Sequence, residues 1–470
     1  MNRKSFSPKL RNPLSLTVGF LALIIWFSFI FNLSIWKKNQ VIQWDIISYY
    51  SYVPATFIYH DLSFKFKNKL PKDFPGKIWG RKVEATGAYI QKMTIGLAIM
   101  YTPFFFLGHI HAMIGGYDAN GYTVPYSMWL VIGGVIYAFL ALLVLRKILL
   151  RYFTDLITAI TLIIVFFGTN LFYYTVYMGT MSHVYSLFLI SVFIYFTMLW
   201  HDKPTLFKIL ILAISGGIIV LIRPTNIIFP LTVFIFFGLY NKITFQSKLH
   251  LFLKNWYLLA VLIVVAFSIV FLQLLYWKTY SGDWFYKSYG KEGFFFNNPH
   301  ILDGMFSYRN GWLIYTPVMF LSILGIPLLF RKLKEYSRVL VIFLPIQLFI
   351  VYSWWCWWYG GSFGSRPMID AYPLLAIPLA LLIREALRSK IWIYLPVLAL
   401  FAFFVRLNVF QTKQFSITLL HYDSMTREVY WEIWNKNKFP KNYDKMIRKP
   451  DYKSAVEGKP EILTPAPEKK

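Results

Sequence analysis

The chain has 470 residues, of which 57% are hydrophobic, 20% aromatic and only 15% charged. That charged share lies below the roughly 25% of a soluble domain, and many uncharged apolar runs reach the about 17–25 residues needed to cross a bilayer, which excludes a string of soluble domains. A formal charge of +27 would suggest nucleic acid in a soluble protein. Here the basic residues flank apolar runs and fill loops, where they set orientation and attract anionic lipid head groups. The composition therefore predicts an all-α, polytopic membrane protein with membrane lipids, and not nucleic acid, around it. The lone Cys356 leaves no intramolecular disulfide.

The N-terminal stretch carries Arg3, Lys4, Lys9 and Arg11, followed by an apolar run over 14–36. The run is longer than the core of a signal peptide and no small-residue cleavage site follows it, so it reads as a retained first span with a cytoplasmic N-terminus. Residues 37–125 then form a long outer loop. Within it 93–114 is apolar enough to pass for a span, but His109, His111 and Pro103 interrupt it, so it is expected to lie in or dip into the outer leaflet. Further spans are predicted over 126–145, 156–174, 184–200, 207–222, 226–240, 256–277, 312–330, 339–353, 369–383 and 391–407, giving about eleven in all. The basic side chains Arg146, Lys147, Arg151, Lys242, Lys248, Lys254, Arg331, Lys332, Arg384 and Arg388 then fall in short inner loops, with the C-terminus outside. Residues 1–407 form the multi-span domain. Residues 408–470 form a polar outer tail, with a small amphipathic helix near 430–434 and a Pro-, Lys- and Glu-rich, partly disordered end.

The ionisable residues gather on one side. Asp45, Asp61, His183, Asp283, His300, Asp303, Tyr308, Arg223, Arg309, Arg366 and Asp370 all fall at outward ends of spans or in outer loops, and no Asp or Glu falls within a span. Ion-coupled transporters usually need buried acids near the midplane, so the pattern favours a site at the outer leaflet. Asp45 lies directly after the first span in Trp44-Asp45-Ile46-Ile47-Ser48-Tyr49-Tyr50. A carboxylate there either caps a short helix or takes a proton from a group reaching the membrane surface. Asp61 reads as a capping residue with a possible substrate role, alongside Tyr49, Tyr50, His183, His300 and Tyr308.

Three arginines suit a membrane-embedded phosphate, because a guanidinium matches phosphate oxygens with paired donors. Arg223 stands in the helix break Arg223-Pro224-Thr225-Asn226, Arg309 in Ser307-Tyr308-Arg309-Asn310-Gly311, and Arg366 after Gly360-Gly361-Ser362-Phe363-Gly364-Ser365. That glycine-rich loop can add backbone N–H donors. Contacts with phospholipid heads or outer acids are the plainer role for each arginine. His183 and His300 lack companions at metal-ligand spacing; no metal site is assigned, and a divalent metal stays open. The aromatic run Trp354-Trp355-Cys356-Trp357-Trp358-Tyr359 suits the interfacial belt, or a sugar- or prenyl-binding wall.

A first span followed at once by Asp45, with a long outer loop and outer arginines, resembles the GT-C superfamily of integral membrane glycosyltransferases, to which protein O-mannosyltransferases and lipid A aminoarabinose transferases belong. The likeness extends to about residue 372 and is best over 44–62, 222–226, 280–316 and 352–372. The resemblance implies inverting transfer of a sugar from a polyprenyl-phosphate donor to an acceptor hydroxyl on a glycan, lipid or protein, at the outer face of a membrane such as the bacterial inner membrane. It implies Asp45 as the catalytic base and Arg223, Arg309 and Arg366 as holders of the donor phosphate. Relatives often carry a second adjacent acid, which this chain lacks. A transporter or flippase of lipid-linked glycans is the main alternative, and a non-catalytic scaffold a third.

Overall fold

A computed structural model describes residues 12–38, 41–70, 78, 80–460 and 464–465. The basic residues Arg3, Lys4, Lys9 and Arg11 of the N-terminal stretch, together with Lys72, Lys77 and the extreme C-terminus, lie outside the described residues. Among the described residues the fold is all-α apart from two short antiparallel strand pairs, and several of its helices are long and apolar enough to cross a membrane.

The first helix, α1 (Pro13–Leu33), starts on Pro13 and ends where Ser34 turns left-handed. The long first connection follows, with α2 (Trp44–Tyr50), α3 (Tyr52–Phe57), the paired strands β1 (Gly80–Lys82) and β2 (Tyr89–Gln91), and α4 (Gly96–Ile114). Next come α5 (Val124–Leu150), α6 (Asp155–Phe167), α7 (Leu171–Val176), α8 (Ser182–Asp202), α9 (Leu206–Ile222), α10 (Ile228–Phe236), α11 (Lys242–Lys254) and α12 (Trp256–Ser281). The second half holds α13 (Ile301–Phe306), α14 (Trp312–Tyr315), α15 (Val318–Lys332), α16 (Lys334–Tyr352), α17 (Tyr372–Leu387) and α18 (Ile391–Ser416). The tail adds α19 (Arg427–Glu432), α20 (Tyr443–Met446), β3 (Arg448–Lys449), α21 (Tyr452–Val456) and β4 (Thr464–Pro465). The tail thus carries a helix and a strand pair beyond residue 447, where composition alone favours little order.

Among the described residues, eight helices meet the length and hydropathy of a span: α1, α4, α5, α8, α12, α16, the segment Arg366–Leu387 that includes α17, and α18. The apolar segments Asp155–Phe167, Leu206–Ile222 and Pro224–Phe236 are shorter. Two expected spans are interrupted: Gly168 closes α6 before α7, and Pro317 separates α14 from α15. The expected break between 207–222 and 226–240 is present, where Pro224 opens a 3-10 turn before α10. Residues 96–114 form one continuous helix of span length, so neither sequence nor length alone sets how α4 lies.

Polar side chains join span ends on one side. Asp155 at the start of α6 accepts the backbone N–H groups of Leu14 (2.8 Å) and Ser15 (3.0 Å) at the start of α1. Arg146 near the end of α5 donates to Ser15 Oγ (2.7 Å) and the Asn12 carbonyl (2.8 Å). These satisfy donors that a helix start leaves open. At the other end of the bundle, Thr94 donates to the Leu221 carbonyl and the Ile95 N–H donates to Gln273 Oε1 (2.9 Å). The start of α4 is thereby fixed over the C-terminal end of α9.

Close helix crossings depend on glycine. A Cβ at Gly134 in α5 would stand 2.1 Å from the Gly179 carbonyl oxygen, and one at Gly325 in α15 would stand 2.4 Å from the Pro378 carbonyl oxygen. Gly134→Val should therefore force α5 away from the start of α8 and destabilise the protein by about 1–3 kcal/mol or more. Thermal unfolding in detergent should show a lowered Tm, while Gly293→Ala, at a position with open space around it, should leave the Tm unchanged.

Candidate functional site

The ends of several helices on one side of the bundle bring two acid–arginine pairs together. Asp45 lies in the first turn of α2, whose Ile46, Ile47, Tyr49 and Tyr50 are buried. Trp44 before it is 74% exposed and holds a left-handed φ of 51°. That conformation is unusual for a bulky residue and costs on the order of 1–3 kcal/mol. Asp45 Oδ2 accepts from Arg366 Nη2 at 3.2 Å, with the side chains 31% and 17% exposed respectively. This pair is reachable from outside without being open.

Arg366 is positioned by the glycine-rich loop before it. Gly360 and Gly364 take positive φ, and a Cβ at Gly364 would meet Tyr315 Cβ at 2.9 Å. Asn170 donates to the Phe363 carbonyl (3.0 Å), the Phe363 N–H donates to the Tyr174 hydroxyl (3.1 Å), and the Ser362 N–H donates to the Tyr422 carbonyl (3.2 Å). Tyr352 donates to Ser365 Oγ at 3.0 Å. The expectation that this loop offers its N–H groups to a phosphate is met poorly, because those of Ser362 and Phe363 already have protein partners.

The short 3-10 helix Arg366–Ala371 carries the second acid. Asp370 is fully buried, and its Oδ2 accepts from Arg223 Nη1 (3.1 Å) and Asn226 Nδ2 (2.8 Å). The break at Pro224 explains this convergence. Arg223 caps α9 with extended backbone, and the 3-10 turn Pro224–Ile227 returns Asn226 toward the same carboxylate. Arg223 Nη2 also reaches Ser182 Oγ at the start of α8, at 3.4 Å.

Beside Ser182, His183 is fully buried against the Tyr174 ring, with centroids 4.9 Å apart. Among the described residues neither ring nitrogen has a hydrogen-bond partner, and neither does Asp370 Oδ1. A buried polar atom left so costs about 1–3 kcal/mol and is exceptional enough to ask what satisfies it. Tyr49 stands within the field of Arg223, Asp45 and Arg366. Burial raises its hydroxyl pKa, and the Arg223 charge only partly opposes this. Tyr359 is likewise held in the protonated state by burial, against the opposing charges of Arg223 and Arg366.

The residues singled out from sequence divide into two groups and two outliers. Asp45, Tyr49, His183, Arg223 and Arg366 converge. His300, Tyr308 and Arg309 instead line a separate cavity of about 850 Å³ bounded by the tail. Tyr50 is buried and bonds the Gly121 carbonyl, bracing α2 against the start of α5. Asp61 accepts from the N–H groups of Ser63 and Phe66 (both 2.9 Å) and closes its own turn. Partial burial raises its pKa, but these hydrogen bonds outweigh that and lower it. Asp370, Asn226 and Ser182 complete the site. Two signals for them lay in the chain: Arg366 and Asp370 share one short helix, and Asn226 stands inside the Pro224 break. Among the described residues no group of three His, Cys, Asp or Glu side chains is placed to hold a metal ion. The chain matches no known protein-family model and no curated protein.

Removing one partner of a buried pair strands the other charge, at about 3–5 kcal/mol. Arg223→Ala should therefore lower the Tm strongly, and Asp370→Asn added to it should recover much of the loss. A double-mutant cycle on thermal unfolding checks this, and additive losses would show that the two side chains are not coupled.

Proposed function

We propose that this chain is a GT-C-like inverting glycosyltransferase, moving a sugar from a polyprenyl-phosphate donor to an acceptor hydroxyl at the outer membrane face. One observation carries the reading: Asp45, directly after the first apolar helix, meets Arg366 beside the Arg223–Asp370 pair. A base and phosphate-matching cations thus share one partly accessible site, with unpartnered polar atoms in its wall.

In this mechanism the donor phosphate takes guanidinium donors from Asp45 and Asp370, an exchange of one anion for another. Asn226 continues to hold Asp370. Asp45, released from Arg366, accepts the acceptor proton as the acceptor oxygen attacks the anomeric carbon and the bond to phosphate breaks. Arg366 and Arg223 stabilise the charge that develops on the departing phosphate. Arg309, distant in its bonding from both pairs, takes no part here.

The reading places α2, the aromatic run and the tail outside a membrane such as the bacterial inner membrane, with the N-terminus in the cytoplasm. The packing of α4 ties three of these helices together. Its start abuts the C-terminal end of α9, while Gly108 and His109 near its far end touch Tyr126 at the start of α5. Between those ends α4 packs antiparallel along α5, with Phe104 against Gly133 and the Met100 carbonyl accepting from the Tyr137 hydroxyl at 3.2 Å.

Asp45→Asn should lower transfer by about 10²–10⁴-fold without a comparable loss of Tm. Release of free polyprenyl phosphate from native lipid-linked sugars, measured with purified protein in nanodiscs and a membrane glycan extract, tests this. Equal release by both proteins would remove Asp45 from the base role. Movement of the lipid across the bilayer without release would replace transfer with flipping.

A further inference from the structure

The connection between α10 and α12 is a fixed helix, α11. A capping box between Asn241 and Thr244 sets its start, the Thr244 N–H donating to Asn241 Oδ1 at 2.8 Å. Lys248 is buried, and its Nζ donates to the Phe234 and Phe237 carbonyls at the end of α10, both at 2.8 Å. A cation there meets carbonyls that a helix end leaves open. One turn on, Phe252 stacks on Phe234 at 5.6 Å and meets Trp200 near the end of α8 at 5.9 Å. The start of α8, at Ser182, lies beside the acid–arginine site. A rise of about 1.5 Å per residue puts Trp200 about 27 Å along the helix from it. α11 therefore occupies the far end of the bundle, roughly one hydrocarbon thickness away.

The side of α11 turned away from these contacts is apolar. Phe245, Leu249 and Leu253 recur every four residues and are 49–64% exposed. Trp256 and Tyr257, also exposed, carry this stripe into α12, the least buried of the span-length helices among the described residues. Gln246, Ser247, His250 and Lys254 form a second exposed strip, which is polar. With 13 residues α11 is about 20 Å long, too short to cross a bilayer.

The charge around it is one-signed. The sequence has no Asp or Glu between Asp202 and Asp283, so Lys242 and Lys254 meet no acid within their own segment. Arg331 and Lys332, exposed at the end of α15, belong to the same end of the bundle. There the Gly238 N–H donates to the Glu335 carbonyl at 2.9 Å, and Phe237 meets Tyr336 at 5.2 Å. Of the neighbouring acids, Glu335 is half-buried and Asp202 is paired with Arg151.

We infer that α11 lies in the head-group layer of the leaflet opposite the acid–arginine site, with Phe245, Leu249 and Leu253 among the acyl chains and Lys242 and Lys254 on anionic lipid phosphates. An apolar stripe beside a polar, basic one, with a tryptophan at its edge, is what a helix lying in the interface presents. Continuity with the exposed face of α12 favours lipid over a protein partner. The inference is independent of the chemistry at Asp45.

The test labels the full chain in phosphatidylcholine nanodiscs with a thiol-reactive bimane, at Leu249→Cys in the apolar stripe or at Ser247→Cys in the polar one. The unsubstituted chain, whose Cys356 is buried, is the blank. Lipids brominated on the acyl chain should quench the label at position 249 and not at 247, and aqueous iodide should do the reverse. At equal mole fraction, brominated phosphatidylglycerol should quench at 249 more strongly than brominated phosphatidylcholine. Lys242→Gln combined with Lys254→Gln should lower that preference by about fivefold or more, the scale of one charge near an anionic leaflet. Both lysines are exposed, and an unchanged Tm verifies that the fold survives. Equal quenching by the two lipids, or a preference that outlives both lysines, would overturn the head-group assignment. Bromolipid quenching at neither position would overturn the inference as a whole. Iodide access at 249 would then leave the stripe in water, and protection from iodide would give it to a protein partner or a second copy of the chain.

Discussion

The buried carboxylate of Asp370 is the constraint around which this end of the bundle is arranged. A carboxylate without water needs both a countercharge and hydrogen bonds. Arg223 and Asn226 supply them to one oxygen, and both come from the junction that Pro224 makes between α9 and α10. Satisfying Asp370 therefore ties that junction to the start of α17. It also orients the short helix that carries Arg366, and Arg366 then reaches Asp45 in the connection after α1. The first-loop acid is located by a relay of charge partners as much as by the helix that bears it.

The two pairs leave the site close to electrical neutrality without making it inert. Each arginine is held by a carboxylate of the protein, so an incoming anion meets donors already arranged and exchanges with a group of like charge. Such preorganisation is the main way a protein stabilises charge that develops during a reaction. The unpartnered nitrogens of His183 and the free oxygen of Asp370 add hydrogen-bonding capacity that the protein itself leaves unused. Under the transferase reading, these features belong to one binding event.

The aromatic run between α16 and Arg366 serves two neighbourhoods. Trp354, Trp355, Trp357 and Trp358 line the tail-bounded cavity, while Tyr359 senses the arginines of the inner site. Cys356 lies between them, with its thiol pKa pushed up to about 12 by burial, which keeps it protonated and unreactive. The tail is fastened to this wall by Asp423. Its carboxylate accepts from the Tyr452 hydroxyl at 2.6 Å and from Ser424 Oγ at 2.7 Å, and the Tyr452 ring meets Trp358 at 5.5 Å. A segment read from composition as polar and loose thereby helps to build a cavity.

Composition and the length of the apolar runs were enough to determine an all-α membrane protein. These are local properties: a run of about 20 apolar residues has few alternatives to a helix in lipid. The helix break at Arg223-Pro224 was equally legible, because proline removes a donor wherever it stands. Asp45, Tyr49, His183, Arg223 and Arg366 could be nominated from sequence as one-sided polar residues, but not grouped. Arg309 and Arg366 have the same kind of context in the chain, each just before an apolar run, yet only Arg366 meets Asp45. Pairing across 321 positions leaves no trace in local pattern. It follows from how helix ends dock, and only the tertiary structure decides which buried charge has which partner.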